Sequence, residues 1–324
     1  MIKWIARWFN RPADEAPAAP FASPVAQPPQ SEPEPQAAGI PTLFYRWLAG
    51  PPGEDILPST ERLILDEFAR LVDCPEDGAD LVPRVPAVIP QLLRSLRDES
   101  MSGADLSRQL AQDVVLVAEV IREANSPYYS PAAPIKNIEG AVMLLGQNGM
   151  RMLLARVAFR PIINNQSGPF ALQAAPLVWR QSEACALAGS MLAPAMGANP
   201  FEAYLAGLLH HVGLIVALRL IDQIYTGPAL PQSDEFGAPL VANTRVLSAR
   251  IAALWEFPAS VCNAIVDAGQ PGASPLAQVL ALADHIGMLR LLADAGVIDA
   301  DHPSILALTA DARAVFDKLR TEEH

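Results

Sequence analysis

Large apolar residues recur at helical spacing along most of the chain, and segment 59–72 illustrates the pattern. The apolar residues that we expect to face a core in this segment are Leu63, Ile64, Phe68 and Leu71. The short apolar runs elsewhere do not alternate with polar residues as half-buried strands do. We therefore predict an all-α fold in two packed lobes, one before and one after about Pro161.

Several predicted helices carry recognisable ends. Asn199 and Ser274 each precede a proline, which is the usual order of an N-cap residue and a first-turn proline. Gly146 and Gly197 are predicted to stop helices. Asn125 suits the left-handed position that follows a helix, because Ser126-Pro127 prevents continuation.

The first forty residues differ in character from the rest. Met1–Arg11 has the spacing of a short amphipathic helix, and Pro12 stops it. Residues 12–41 are rich in Pro, Ala, Gln, Ser and Glu, which predicts a disordered tether. An amphipathic segment with a basic face suits an anionic membrane surface or a groove on a partner protein. The residues expected to make this contact are Lys3, Trp4, Arg7, Trp8 and Phe9.

Charge and composition exclude some functions. The net charge of −12 leaves no basic surface for nonspecific nucleic-acid binding. Cys74, Cys185 and Cys262 are far apart and lie in apolar patterns, so we expect reduced, buried thiols and a cytoplasmic protein. We find no signal-peptide pattern and no uninterrupted apolar run long enough to span a bilayer, so any membrane contact is expected to be peripheral, at the inner membrane surface.

The motifs that carry most information lie in the middle of the chain. Arg122–Tyr129 contains an Asn-Ser pair, Ala141–Gly146 is an apolar run that ends in Leu-Gly, and Trp179–Ser182 reads Trp-Arg-Gln-Ser. Leu205–Gly213 reads Leu-Ala-Gly-Leu-Leu-His-His-Val-Gly. In order and spacing, from about Val82 to about Leu292, these motifs resemble the HDOD domain, a helical relative of the HD phosphohydrolases in bacterial signalling proteins.

The resemblance implies an HD-like bundle of many helices and suggests domain boundaries. We expect an amphipathic segment at 1–11, a linker at 12–41 and a helical N-terminal extension at 42–79. The HDOD-like domain then covers 80–295, and a helical tail covers 296–324.

The resemblance also implies that the metal site of the HD enzymes is degenerate. Those enzymes hold metal ions with a His, a His-Asp pair and a later Asp. In this chain the first position aligns with Gln181, the pair reads His210-His211, and the last carboxylate corresponds to Asp284. Hard cations prefer anionic oxygen ligands, so a single remaining carboxylate predicts no metal, no cofactor and no catalytic residue.

Three alternatives for this region follow from the residue types. Adjacent residues on one helix point about 100° apart, so His210 and His211 are not expected to face a common ion. One or both histidines can instead be hydrogen-bonded core residues, with Asp284 as a partner. A small-molecule pocket can also survive where the metal site used to be.

Function is therefore expected to be regulatory. The resemblance implies a non-enzymatic module that contacts signalling proteins, in pathways that include cyclic-dinucleotide signalling, with Asn125 and Ser126 on the contacting surface. No receiver, cyclase or kinase pattern is visible in the sequence, so the partner is expected to act in trans. A divergent metal-dependent phosphohydrolase or phosphodiesterase, and a small-ligand sensor, are the alternatives.

Overall fold

The computed structural model describes residues 39–319, except 54–55, 79, 84–113, 126–130 and 132. The predicted amphipathic segment at 1–11, most of the predicted tether and Ser126 lie outside the described residues. The tether was predicted to reach residue 41, but helix is already present at Ile40. The structure therefore starts slightly earlier than the composition indicates.

Most of the described residues are helical, and none of them forms a strand, which confirms the all-α prediction. The helices are α1 Ile40–Ala49, α2 Pro58–Asp73, α3 Val114–Ala124, α4 Ile138–Asn164, α5 Pro169–Leu192, α6 Pro200–Leu209, α7 Val212–Ile224, α8 Asp234–Leu254, α9 Ala259–Asp267, α10 Pro275–Asp294, α11 Pro303–Leu306 and α12 Ala310–Lys318. A 3₁₀ turn, Pro75–Gly78, follows α2. Pro161, where the boundary between lobes was expected, lies inside the last turn of α4.

Side-chain caps fix several helix starts at the predicted residues. The Asn199 side chain accepts hydrogen bonds from the backbone N–H groups of Phe201 and Glu202, and Ser274 accepts one from Ala277. Gly146 has φ +67° and divides α4 into two helical stretches, because its left-handed conformation is open to glycine and costly for other residues. The glycine that was expected to stop a helix therefore bends one.

Helix α5 lies at the centre of the core and packs against α6, α7 and α10. Its approach to α6 depends on Gly207, where a Cβ atom would lie 2.5 Å from the backbone nitrogen of Ala186. A side chain at this position would push the two helices apart. The glycine of the Leu205–Gly213 motif is thus required by the close packing of two backbones.

The N-terminal extension packs onto the same core. In α2, Ile64, Phe68 and Leu71 are buried, but Leu63 is 51% exposed, so its predicted place in the core is wrong. In α1, Tyr45 is buried, and its hydroxyl donates a hydrogen bond to the carbonyl of Pro231 over 2.8 Å. Helix α1 is therefore joined to the loop before α8.

A buried group of charges joins α3, α4 and α5. Arg156 of α4 forms ion pairs with Glu123 of α3 and Glu183 of α5, and Arg160 Nη1 lies 3.7 Å from a Glu123 oxygen. Burial raises the pKa of the Glu183 carboxyl, against the opposing effect of Arg156. Because each carboxylate faces an arginine, this cluster acts as an internal joint between the three helices.

Asn125 does not adopt the left-handed conformation that the sequence predicts. Among the described residues, Glu256 is the one non-glycine residue with a positive φ. The Asn125 side chain instead bridges the chain to Ile135: its Nδ2 donates to the Ile135 carbonyl at 2.8 Å, and its Oδ1 accepts from the Ile135 N–H at 2.7 Å. Nδ2 also donates to the carbonyl of Ile121. The asparagine of the motif therefore closes a ten-residue loop.

Within the part of the chain that the structure describes, two segments are long and apolar enough, by length and composition alone, to cross a membrane. They are Pro200–Ile224 and Pro275–Asp294, and 89% and 61% of their apolar windows are buried inside the protein. Core helices of soluble proteins have the same properties, so these segments are weak evidence for a membrane span. Neither segment is an uninterrupted apolar run, because polar residues lie within both.

The Asn125 bridge predicts a mutational result that separates it from a left-handed cap. Asn125→Gly should lower the free energy of unfolding by about 1–3 kcal/mol, because three hydrogen bonds are lost. A left-handed cap would tolerate glycine without loss. Urea unfolding of the full chain measures the difference, with Asn263→Gly at an exposed position of α9 as the control for the intrinsic cost of glycine. A loss no larger than that of the control contradicts the bridge.

Candidate functional site

Four elements bring the predicted site residues together. Gln181 lies in the middle of α5, His210 follows α6, His211 precedes α7, and Asp284 lies in α10. The packing of α5 against α6 and α10 places them around one carboxylate, and Gly287 contributes because its missing side chain leaves room for the Gln181 amide.

The Asp284 carboxylate is the centre of the cluster. His210 Nε2 lies 3.4 Å from Asp284 Oδ2, and His211 Nε2 lies 3.2 Å from Asp284 Oδ1. Gln181 Nε2 donates to Asp284 Oδ1 at 2.8 Å and to the Asp284 backbone carbonyl at 2.9 Å. The carboxylate thus faces one amide N–H donor and two imidazole nitrogens. The two imidazole rings meet edge to face, with centroids 4.8 Å apart.

The convergence of the two histidines differs from the expectation for neighbours on one helix. The helix is interrupted at this point: α6 ends at Leu209, and His211 has φ −105° and ψ 6° before α7 begins. This corner lets both rings turn to the same side. The 100° separation holds only within a continuous helix, so it does not apply here.

Ser248 of α8 stabilises the corner from behind. Its hydroxyl oxygen accepts a hydrogen bond from the Gly213 N–H at 2.8 Å and lies 2.8 Å from the carbonyl of His210, to which the hydroxyl can donate. A Cβ at Gly213 would lie 2.1 Å from the Thr244 carbonyl oxygen, so α7 approaches α8 closely. The role of Ser248 could not be predicted from local sequence patterns, because its contact with Gly213 joins residues that are 35 positions apart.

The electrostatics of the cluster favour a neutral His210 imidazole beside a charged carboxylate. Burial lowers the pKa of His210 and outweighs the opposing effect of Asp284. Burial alone would raise the pKa of Asp284, but His210 and His211, through their charge and hydrogen bonding, hold it well below its usual range. A buried carboxylate is stabilised in this way when N–H groups surround it.

The donor set fits a metal ion only in part. One ligand atom from each of His210, His211 and Asp284 lies within 4.8 Å of the others, and two imidazoles with a carboxylate are competent ligands. A ligating Nε2 requires the proton to sit on Nδ1, however, where it normally meets an acceptor. Both Nδ1 atoms are buried without a hydrogen-bond partner in the part of the chain that the structure describes. The arrangement therefore suits Nε2–H donors better than metal ligands.

A cavity of about 240 Å³ opens beside the cluster. His210, His211 and Asp284 line one side, and Arg245 of α8 and His285 of α10 lie near them. Phe44 and Tyr45 of α1 form an aromatic wall. Phe44, Tyr45 and Arg245 were not predicted as site residues, since nothing in their local sequence pattern indicates that they line the same cavity as the histidines.

The lowered pKa of His210 predicts how stability depends on pH. The unfolded chain takes up a proton near pH 6.5, whereas the folded protein resists it, so protonation favours unfolding. The contribution is therefore complete above about pH 6.5 and is lost as the pH falls toward the lower folded pKa. We expect Tm to fall between about pH 7 and pH 5, and to fall less in His210→Gln, whose amide can still donate to Asp284.

Thermal unfolding at a series of pH values measures this dependence. His302→Gln, which lies outside the cluster, is the matched control and should retain the wild-type slope. Equal slopes for His210→Gln and the wild type would show that His210 does not carry the dependence.

Comparison with known proteins places the chain in a family. The sequence model of the HDOD domain matches residues 82–271. An HDOD domain protein of unknown function from Geobacter sulfurreducens superposes with a TM-score of 0.56 at 23% identity, covering 81% of this chain and 94% of that chain. A protein of Shewanella amazonensis SB2B, provisionally named a metal-dependent phosphohydrolase, gives a TM-score of 0.55 at 20% identity, covering 81% and 100%. At these identities the likeness shows the fold alone.

A curated relative matches over a shorter stretch. An uncharacterized protein of Treponema pallidum (strain Nichols) is 23% identical over 198 residues, covering 58% of this chain and 38% of that protein. The chain thus spans about two fifths of the length of this relative. The family match, which includes Gln181, His210 and His211 and covers more than half of the chain, is the finding that decides membership. The chain belongs to the HDOD domain family.

Proposed function

We propose that this protein is a non-catalytic signalling module that acts by contact with a partner protein. The observation that carries the proposal is the set of contacts around Asp284: Gln181 donates an N–H to its carboxylate, and the Nε2 atoms of His210 and His211 lie 3.4 Å and 3.2 Å from it. A hydrolytic metal would have to take the place of these donors. The site is thus built as a hydrogen-bonded core cluster.

The chemistry of the donors supports this proposal. Gln181 presents its NH₂ group to the carboxylate, and the opposite orientation would place its carbonyl oxygen against two acceptor oxygens of Asp284. Metal-dependent hydrolysis needs a bound ion that lowers the pKa of water, and hard ions prefer several anionic oxygens. Only one carboxylate is present among the four residues.

On the basis of family membership, we propose a regulatory role in bacterial signalling. We further propose that the pathway involves a cyclic dinucleotide. The acidic chain, with a net charge of −12, supports a protein partner rather than a nucleic acid. Asn125 is exposed and rigidly hydrogen-bonded, so its corner is available as a contact surface. A cytoplasmic location, with peripheral membrane or partner contact through Lys3, Trp4, Arg7, Trp8 and Phe9, is part of the same proposal.

A metal-dependent phosphohydrolase is the second candidate. The observation in its favour is the close approach of three ligand atoms, within 4.8 Å of one another, from His210, His211 and Asp284. The two candidates differ in a property that is measured directly, namely the metal content of the purified protein.

The test compares the wild type with a variant that rebuilds the HD ligand set. After purification with Mn²⁺, Fe²⁺ or Mg²⁺ present, the wild type should hold far less than one metal ion per chain by elemental analysis. Gln181→His with His211→Asp should gain metal, because a second carboxylate and a fourth ligand enter the cluster. The wild type should also leave a cyclic dinucleotide intact, and capture of the full chain from its native cell should yield a stable protein partner.

Asp284→Asn is the control, because it removes the last carboxylate. Stoichiometric metal in the wild type that is lost in Asp284→Asn, together with hydrolysis that follows the metal, would establish the enzyme and refute the proposal.

A further inference from the structure

The cavity beside the cluster has polar groups that the hydrogen-bonded core does not use up. Asp284 has a side chain that is 16% exposed, and its Oδ2 has one donor within reach, His210 Nε2, among the described residues. A carboxylate offers about four lone-pair sites, so it can accept a further N–H group. Arg245 lines the same cavity and is only partly buried. Its fork of five N–H donors exceeds what its one backbone acceptor, the carbonyl of Ala268, can satisfy.

The charges facing the cavity restrict what it can hold. An ion of either sign is attracted by one of these two residues and repelled by the other, whereas acceptor oxygens of Asp284 and N–H donors of Arg245 are both matched by a ligand that offers one donor and one acceptor. His285 also lines the cavity. A neutral molecule that carries an N–H next to a carbonyl can satisfy both charged groups at once.

The remaining walls restrict shape and size. Phe44 and Tyr45 supply aromatic surface, with Leu214 and Met288 adding apolar surface. Flat rings pack well on such walls. At about 240 Å³ the cavity is smaller than pockets for drug-sized ligands, so one ring or two fused rings fit.

We propose that this cavity binds a small, flat, uncharged nitrogen heterocycle with adjacent N–H and C=O groups. The ligand's N–H donates to Asp284, its carbonyl accepts from Arg245, and its ring packs on Phe44. No bond is made or broken, and the site works as a sensor. Helix α1 contributes the aromatic wall and lies before residues 82–271, so the complete chamber depends on a segment outside the matched family region.

This arrangement also connects the ligand to the N-terminal extension. Helix α1 is tied to the start of α8 by the Tyr45–Pro231 hydrogen bond and by an ion pair of 2.6 Å between Arg46 and Asp234. A ligand that packs on Phe44 therefore stabilises α1 in its docked position. Binding should raise Tm, because the ligand has no site on the unfolded chain.

Isothermal titration of the full chain with uracil and with hypoxanthine tests the proposal. Benzoate, benzamidine and cyclohexanecarboxamide are the comparison compounds, which are respectively anionic, cationic and not flat. At least one of the two heterocycles should bind with one site per chain and raise Tm, and the three comparison compounds should bind at least about tenfold more weakly.

A cavity-filling variant locates the site. Ala281→Leu adds apolar volume to the cavity wall and should weaken the heterocycle at least about tenfold, whereas Ala253→Leu, the same change on the exposed side of α8, should leave binding unchanged. If Ala281→Leu does not fold, Phe44→Leu, which removes the flat ring while staying apolar, is expected to weaken binding in its place.

Three results would overturn the proposal: no binding of either heterocycle, equal binding of the charged comparison compounds, or full binding by a folded cavity-wall variant. These titrations use the protein without a partner or a metal ion. If no heterocycle binds, the non-catalytic signalling proposal is unaffected. If the wild type contains stoichiometric metal, that proposal is refuted, and the titrations still test the heterocycle site separately.

Discussion

Keeping the carboxylate of Asp284 charged inside a helical core is the constraint on which the centre of the structure depends. A buried carboxylate is costly unless polar groups compensate it, and the partners here come from two separate parts of the chain. Gln181 fixes the position of α5, and the two histidines fix the corner between α6 and α7. The three side chains around Asp284 thereby hold four helices together.

Close backbone packing makes this arrangement possible. The approach of α5 to α6 at Gly207, and of α7 to α8 at Gly213, leaves no space for side chains. Ser248 then closes the corner by bonding to both of its sides. The motif Leu205–Gly213 therefore supplies close backbone packing at its glycines and polar contacts with Asp284 at its histidines.

The sequence predicts the fold class and several helix starts, since periodicity and caps such as Asn199 and Ser274 are local signals. Through the resemblance of the motifs it also names Asp284 and the three residues that meet there. Two geometric expectations were wrong for a shared reason. Asn125 bonds to Ile135 instead of capping in the left-handed region, and His210 and His211 converge because the helix breaks between them. Both depend on contacts with distant residues, which local patterns do not encode. The aromatic wall from α1 belongs to the same class of tertiary contact.

The central claim is that His210 and His211 are Nε2–H donors to Asp284. Two-dimensional NMR of the ¹⁵N-labelled imidazoles measures the tautomer of each ring directly, because protonated and unprotonated ring nitrogens differ widely in chemical shift. We expect the His210 ring to be neutral at pH 7, and we expect both rings to carry a proton on Nε2 that stays there when Zn²⁺ is added. Protons on Nδ1, or a shift of both Nε2 signals at one equivalent of Zn²⁺, would contradict the account and identify the cluster as a metal site.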